Sequence, residues 1–118
     1  MEWKERFLKE CVCLQEIYYW DTYWIVKAFL RAGSFSTARG VIENYFYLIK
    51  QHGFVPNGNR SYYLDRSQPP LLIAMVRDYV QMSGDITILN SIDLLLQEVA
   101  WFEKNRSVQV ITFLEELL

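Results

Sequence analysis

The sequence has little of the residues that most often bind metals or act as nucleophiles and bases. It contains one histidine, His52, and two cysteines, Cys11 and Cys13. A single residue separates the cysteines, which leaves no comfortable geometry for a disulfide bond between them, and a metal site would need further ligands at suitable spacing. We therefore predict free thiols and no bound metal or cofactor. His52 precedes Gly53 at a predicted helix end, where a capping or solvent-exposed role is favoured over catalysis.

Long hydrophobic runs and an excess of positive charge are also absent. No apolar run approaches the roughly 18 to 20 residues of a membrane-spanning helix, and the stretch from Met1 to Arg6 lacks the apolar core of a signal peptide. Lys and Arg number 12 and Asp and Glu 14, which gives a formal net charge of -2 with no basic run. This balance argues against a nucleic-acid partner. The sequence predicts no membrane segment and leaves the compartment open.

Aromatic residues, by contrast, are abundant. Hydrophobic residues make up 52% and aromatic residues 16% of the chain, which is rich for its length. A chain of 118 residues forms at most one domain and can bury a core. We interpret residues 1–118 as a single domain in which residues 1–15 are of uncertain structure. The aromatic excess indicates either a stacking ligand or surfaces that bind more protein.

The first strongly periodic stretch follows a cluster of aromatic residues between Tyr18 and Trp24. Asp21 or Thr22 can cap a helix that stops at Gly33. The apolar residues of this stretch recur at helical spacing and are Trp24, Ile25, Ala28, Phe29 and Ala32.

A second helix is predicted after a short connection. Ser34 or Ser36 can cap it, and it ends at His52 and Gly53. Its wide apolar stripe comprises Ala38, Val41, Ile42, Tyr45, Phe46, Leu48 and Ile49. Because so few residues join the two helices, we predict that they form an antiparallel hairpin.

The second half of the chain predicts another pair of helices. Ser67 can cap the third helix, whose first turn would hold Pro69 and Pro70, and Gly84 ends it. Its apolar stripe comprises Leu72, Met75, Val76, Tyr79 and Val80.

The fourth predicted helix begins at Asp85 and runs to about Lys104 and Asn105. Its inward-facing residues are Ile88, Leu89, Ile92, Leu95, Leu96, Val99 and Phe102. Beyond it, the alternation over residues 108–112 is compatible with a short strand. The predicted fold class is all-α, built from successive antiparallel helical hairpins.

Between the two hairpins lies a polar segment from Gly53 to Pro70. Most of it is long for a connection in a compact domain, and long ordered connections are usually functional. Its aromatic residues and prolines argue for order, so we interpret it as a binding loop. In an antiparallel hairpin the start of the first helix lies beside the end of the second, where this loop departs. Aromatic and polar side chains are therefore expected to share one end of the bundle: Trp20, Asp21, Asn57, Arg66 and Gln68.

The combination of side chains at this end suits a sugar. A sugar ring stacks an apolar face on Trp or Tyr, and its hydroxyls pair with carboxylate, amide and guanidinium groups. The stretch has no Ser–His pair and no phosphate-binding glycine loop. The chemistry therefore predicts a polyol ligand.

Three blocks of the sequence resemble the trehalases, glycoside hydrolases that split α,α-trehalose into two glucose molecules. The first block is EIYYWDTY, from Glu16 to Tyr23. The second is GFVPNGNRSYYLDRSQPP, from Gly53 to Pro70, and the third is KNRSV, from Lys104 to Val108. The blocks occur in the order that the family has, and the resemblance covers about residues 16–110.

The resemblance implies a fold and a set of sugar contacts. The family fold is an (α/α)6 toroid, in which six helical hairpins surround a central pocket, and this chain is expected to form part of it. By resemblance, Trp20 stacks on one glucosyl ring and Asp21 accepts hydrogen bonds from its hydroxyls. Further contacts to trehalose or a glucose-like molecule are implied for Asn57, Arg66, Ser67 and Gln68.

Two features depart from the family pattern. Cys13 stands where the family has an Arg that also binds substrate. In addition, trehalases invert, and inverting enzymes need an acid and a base roughly 6.5 to 9.5 Å apart; in the family, these come from loops beyond the matched region. Asp65 is a poor substitute because neighbouring Arg66 would lower its pKa. We therefore expect no catalytic residue in this chain, which we interpret as a truncated trehalase domain, not active on its own.

Two alternatives remain open at this stage: a catalytically inactive sugar-binding fragment and a helical interaction fragment. Hairpins separated from a closed ring would leave apolar helix faces without partners, so self-association is expected. Trehalases are often secreted, periplasmic or cell-surface proteins, but this chain does not indicate which.

Overall fold

The computed structural model describes residues 18–56 and 69–107. These residues form four α-helices and one 3₁₀ helix: α1 (Tyr19–Arg31), α2 (Phe35–His52), α3 (Leu72–Ser83), the 3₁₀ helix (Ile86–Ser91) and α4 (Ile92–Asn105). The predicted all-α fold class is confirmed for the part of the chain that is described. The predicted strand at 108–112, the N-terminal segment and Cys11 and Cys13 lie outside it.

The helices pack as neighbours around one core. α1 packs against α2 and α3, while α2 packs against α3 and α4. The short connection between α1 and α2 makes these two an antiparallel pair. None of the helices in residues 18–56 and 69–107 has the length and hydrophobicity needed to span a bilayer.

Helix α1 begins earlier than the sequence predicts. Its N-cap is Tyr18, so Asp21 and Thr22 are not caps but lie within the first turns. The hydroxyl of Thr22 donates to the carbonyl oxygen of Tyr18 at 2.6 Å. This hydrogen bond provides a partner for the buried hydroxyl. Asp21 keeps a favourable position, because a carboxylate in the first turn interacts well with the helix dipole.

The buried face of α1 also differs from the predicted stripe. The buried residues are Tyr19, Thr22, Val26 and Leu30. Of the stripe that was expected to form the apolar face, Trp24 is 58% exposed, Ala28 and Ala32 are exposed, and Ile25 and Phe29 are partly buried. The helix is apolar on most of its circumference, so periodicity alone cannot select the face that meets α2 and α3.

Helix α2 agrees with its prediction. All of the predicted stripe is buried, and Gly40 and Asn44 are buried with it. Ser34 is the N-cap residue, although its side chain makes no capping hydrogen bond, and Gly53 ends the helix with a φ of 82°. A left-handed residue at this position is the usual glycine termination of a helix.

Helix α3 begins later than predicted. Its N-cap is Leu71 and its first residue is Leu72, so Ser67 does not cap it and Pro69 and Pro70 precede it. A residue before proline is disfavoured in helical conformation, which excludes Pro69 from the first turn. The predicted stripe of α3 is buried apart from Val80, which is partly buried.

The predicted fourth helix is divided into two elements. Asp85 caps the 3₁₀ helix, with its carboxylate accepting from the backbone N–H of Thr87 at 3.0 Å, and α4 starts only at Ile92. The 3₁₀ residues include β-branched residues, Asn and Ser, which have low α-helix propensity. Of the predicted inward residues, Ile88 and Leu95 are buried, but Leu89, Ile92 and Leu96 are exposed.

Candidate functional site

The start of α1 carries side chains with opposite environments. Tyr19 is fully buried, whereas Trp20 is 49% exposed and Asp21 is exposed. Successive residues of a helix point about a third of a turn apart, so anchoring Tyr19 in the core directs the next two side chains to the surface. An indole and a carboxylate are thus both exposed at the start of α1.

Contacts from three other helices hold both the hydroxyl and the ring of Tyr19. Its hydroxyl donates to Oε1 of Glu98 in α4 at 2.7 Å and accepts from the backbone N–H of Leu72 at 2.6 Å. Its ring lies 5.2 Å, centroid to centroid, from that of Tyr45 in α2. The phenol of Tyr19 therefore joins α1 to α2, α3 and α4. Tyr19 is the residue that immediately precedes Trp20 and Asp21.

Glu98 is a buried carboxyl group. It has no exposed surface, and burial raises its pKa to about 7, opposed by the hydrogen bond from Tyr19. Burial, reinforced by the carboxyl group of Glu98, also raises the pKa of Tyr19 well above its usual range. Within the described part of the chain, Oε2 of Glu98 is buried without a hydrogen-bond partner.

The segment that leaves α2 is anchored on the same face of α4. Phe54 stacks on Trp101, with ring centroids 4.0 Å apart, and Val55 is fully buried. Trp101 follows Glu98 by three residues, so the two lie on one face of the helix. The chain thus leaves through Phe54 and returns through Leu72 at one end of the bundle. We call this the loop end: the start of α1, residues 53–56 and the start of α3.

The predicted site residues divide into two groups. Trp20 and Asp21 lie at the loop end, from which the connection between α2 and α3 departs. The other predicted contacts lie outside the described residues and remain predictions: Asn57, Arg66, Ser67 and Gln68. Cys13 and Asp65 lie outside them as well. His52 is exposed at the end of α2, as predicted.

Glu98 was not predicted from the hydrophobic periodicity, although its position in the sequence contained a signal. Glu98 lies three residues after Leu95 and four before Phe102, both of which were predicted to face inward. A carboxylate on an inward stripe requires a buried partner. Its partner is 79 residues away in sequence, so the pattern could mark the residue but not identify Tyr19.

The side chains at the loop end include both exposed and buried polar groups. Residues 18–56 and 69–107 bring together no set of three or more His, Cys, Asp or Glu that could hold a metal ion. The groups on the surface are an indole and a carboxylate, supported by a buried phenol and carboxyl group.

Comparison with known proteins identifies relatives. The family model described as Trehalase matches residues 13–116. A trehalase of Pimpla hypochondriaca is 45% identical over 97 residues, which cover 81% of this chain and 17% of the relative. The human trehalase is 43% identical over 96 residues, covering 80% of this chain and 16% of the relative.

A probable trehalase of Oryza sativa subsp. japonica is 40% identical over 99 residues, which cover 82% of this chain and 18% of the relative. The chain thus spans less than a fifth of the length of each of these relatives. The family model nevertheless matches nearly all of the chain, and the residues that carried the resemblance lie within the match. The chain belongs to the trehalase family.

Proposed function

We propose that this chain supplies part of the sugar pocket of an α,α-trehalose hydrolase. Trp20 stacks on a glucosyl ring and Asp21 accepts from its hydroxyls, while Asn57, Arg66, Ser67 and Gln68 add polar contacts. The observation that carries the proposal is that Tyr19 is buried while the next two residues, Trp20 and Asp21, are exposed. An indole and a carboxylate therefore both lie on the surface at the loop end.

The whole protein's activity is proposed to be hydrolysis of trehalose to glucose with inversion. Such a reaction needs an acid to protonate the leaving oxygen and a base to activate water. In the family these groups come from stretches other than the blocks matched here. The residues proposed in this chain therefore bind and orient the sugar, and they carry no proton transfer.

Calorimetric titration of the 118-residue chain with trehalose tests the proposal. We expect Trp20→Ala and Asp21→Asn each to weaken binding at least about tenfold, which corresponds to 1.4 kcal/mol. Trp24→Ala is the matched control, because Trp24 is also an exposed indole on α1, 58% exposed, and lies one turn further from the loop end. Absence of binding, or equal losses at Trp20 and Trp24, would contradict the proposal.

A second proposal concerns assembly. Large apolar side chains are exposed on the 3₁₀ helix and α4, where Ile86 is 67%, Ile92 52% and Leu96 64% exposed. An exposed apolar surface of this kind favours association with more protein. We propose that the isolated chain self-associates through it, as an interaction fragment would.

Sedimentation velocity across a range of protein concentrations tests the assembly. We expect Ile92→Gln with Leu96→Gln to shift the chain towards monomer. Ile73→Gln is the control, because Ile73 is 43% exposed but lies on α3. A wild-type chain that stays monomeric at all concentrations would exclude self-association.

A further inference from the structure

Glu98 occupies a position that a hydrophobic residue would fill at lower cost. It is fully buried next to Leu94 and Leu95, which are also buried. Burying a carboxyl group is unfavourable unless hydrogen bonds compensate, yet only Oε1 has a partner in the part of the chain that is described. The sugar contacts proposed above leave this group without a role.

The hydrogen bonds around Tyr19 have a fixed direction. Leu72 donates its backbone N–H to the Tyr19 hydroxyl, so the hydroxyl proton is directed to Glu98. Leu72 is the first residue of α3, and the first N–H groups of a helix have no partner within the helix. Glu98 therefore orients the hydroxyl that satisfies the start of α3.

The Tyr19 hydroxyl links the start of α1, where Trp20 and Asp21 follow it, to Leu72 at the start of α3. We propose that Glu98 is a positioning residue of the sugar site, which fixes the start of α1, and with it Trp20 and Asp21, by holding the Tyr19 hydroxyl. This inference rests on the proposed function.

Protonation of Glu98 is expected to change this contact. Burial brings its pKa to about 7, so its charge changes near neutral pH. Ionisation strengthens a single hydrogen bond, but it also leaves a buried charge with one oxygen unpartnered. Because burial penalises the ionised form, the loop end should loosen as the pH rises through 7.

Few other titratable groups face Glu98 among the described residues. Tyr19 of α1 contacts it, and Tyr45 of α2 contacts the ring of Tyr19. On α2, Lys50 and His52 are exposed, and Glu43 pairs with Arg39. The 3₁₀ helix has no titratable residue. On α3, Arg77 pairs with Asp78 and Tyr79 donates to Asp85, while Leu72 contributes its backbone N–H. A titration of the Leu72 amide that Glu98→Gln abolishes would therefore report Glu98.

The first readout needs no sugar. The ¹⁵N–¹H signal of Leu72 is followed from pH 5 to 8.5 in the wild-type chain and in the variants Glu98→Gln, Glu98→Leu and Tyr19→Phe. We expect the wild-type signal to titrate near pH 7 and that of Glu98→Gln to be flat. Exchange of the Leu72 amide should accelerate about tenfold in Tyr19→Phe and Glu98→Leu, which matches the loss of one hydrogen bond.

The second readout is the Kd for trehalose over the same pH range. We expect wild-type affinity to fall about threefold or more as the pH rises through 7 and Glu98→Gln to show no such change. Glu98→Leu should weaken binding about tenfold at pH 6, whereas Glu98→Gln, which keeps an acceptor for Tyr19, should remain near wild type. Glu103→Gln, exposed on the same helix, is the control and should behave like the wild type in both readouts.

The outcomes separate the two proposals. A Leu72 amide that titrates in the wild type together with a pH-dependent Kd that Glu98→Gln abolishes supports the positioning role. A wild-type Kd that does not change with pH, or one that Glu98→Gln leaves pH-dependent, overturns it even if Glu98→Leu does not fold. Titration of the amide without any trehalose binding overturns the sugar site and reduces Glu98 to a structural contact.

Discussion

The ring of Phe54 lies flat on the indole of Trp101, with centroids 4.0 Å apart and planes 9° apart. This pair fixes Phe54, the second residue after the end of α2, onto α4. Because stacked aromatic pairs contribute about 0.5–1.5 kcal/mol beyond their buried area, we expect a double-mutant cycle of Phe54→Leu and Trp101→Leu to give a coupling of about 1 kcal/mol. Urea unfolding of the four proteins measures it, and additive effects of the two changes would contradict it.

Stability should depend on pH through Glu98. Its pKa rises from 4.5 to about 7 on folding, so between these values the folded chain holds a proton that the unfolded chain has lost. The free energy of unfolding should therefore decrease as the pH rises from 4.5 to 7, by about 3 kcal/mol in total. Glu98→Gln should remove most of this slope in urea unfolding at several pH values, and Glu103→Gln should retain it.

A separate polar cluster surrounds Asp85. Its carboxylate accepts from the hydroxyl of Tyr79 at 2.6 Å and from the N–H and hydroxyl of Thr87 at 3.0 and 2.6 Å, and it pairs with Arg39. The hydrogen bonds from Thr87 and Tyr79 hold the pKa of Asp85 well below its usual range.

A group with a lowered pKa stabilises the fold above its unfolded value and loses that contribution as the pH falls. We therefore expect Asp85→Asn to lower the urea midpoint at pH 7 and to lessen the loss of stability below pH 4. Asp93→Asn, an exposed carboxylate in the first turn of α4, is the control. A midpoint at pH 7 that falls no further in Asp85→Asn than in Asp93→Asn would contradict this role.

Gly53 and Gly84 offer a matched pair of helix ends. Both are left-handed, with φ of 82° and 72°, and a Cβ would meet only ordinary contacts at Gly53 and open space at Gly84. Alanine at either should cost about 1–2 kcal/mol in backbone strain. Only Gly53 leads into the proposed binding loop, so Gly53→Ala should also weaken trehalose binding while Gly84→Ala should not. Equal affinities of the two variants for trehalose would show that the conformation of the loop does not affect sugar binding.

The 118-residue chain by itself should bind trehalose without releasing glucose. The resemblance assigns the catalytic acid and base to stretches other than the matched blocks, and we propose that Asp21 accepts hydrogen bonds from sugar hydroxyls. A coupled glucose assay at high protein concentration measures release. Turnover that disappears in Asp21→Ala would contradict this prediction and assign chemistry to Asp21.

The buried face of a helix was predicted correctly where its apolar residues form a single stripe. In α2 and α3 the stripes were right because the remaining surface is more polar, which leaves a single face to bury. In α1 the predicted buried face was wrong because Trp24 and Val26 both lie on apolar faces. Packing against α2 and α3 determines which of these faces is buried. Pro69 is kept out of α3 because Pro70 restricts the residue before it, and the helix begins at Leu72.

The site was predictable only in part from local pattern. Trp20 and Asp21 were predicted to lie at one end of the bundle from the aromatic cluster and the antiparallel topology, and their role in sugar binding remains a prediction. Tyr19 and Glu98 were not predicted, since a buried hydroxyl–carboxyl pair depends on contacts between distant segments that periodicity does not encode. Asn57 and Arg66 were predicted from the same topology and from the family resemblance, and they lie outside the described residues.

The Tyr19 hydroxyl also sets an order for biosynthesis. Its partners Leu72 and Glu98 lie 53 and 79 residues further along the chain. As the ribosome releases the polypeptide from its N-terminal end, α1 and α2 emerge while this phenol is still hydrated, and it is sealed only when α4 arrives. Both hydrogen bonds of the Tyr19 hydroxyl are therefore in place only after α4 has been synthesised.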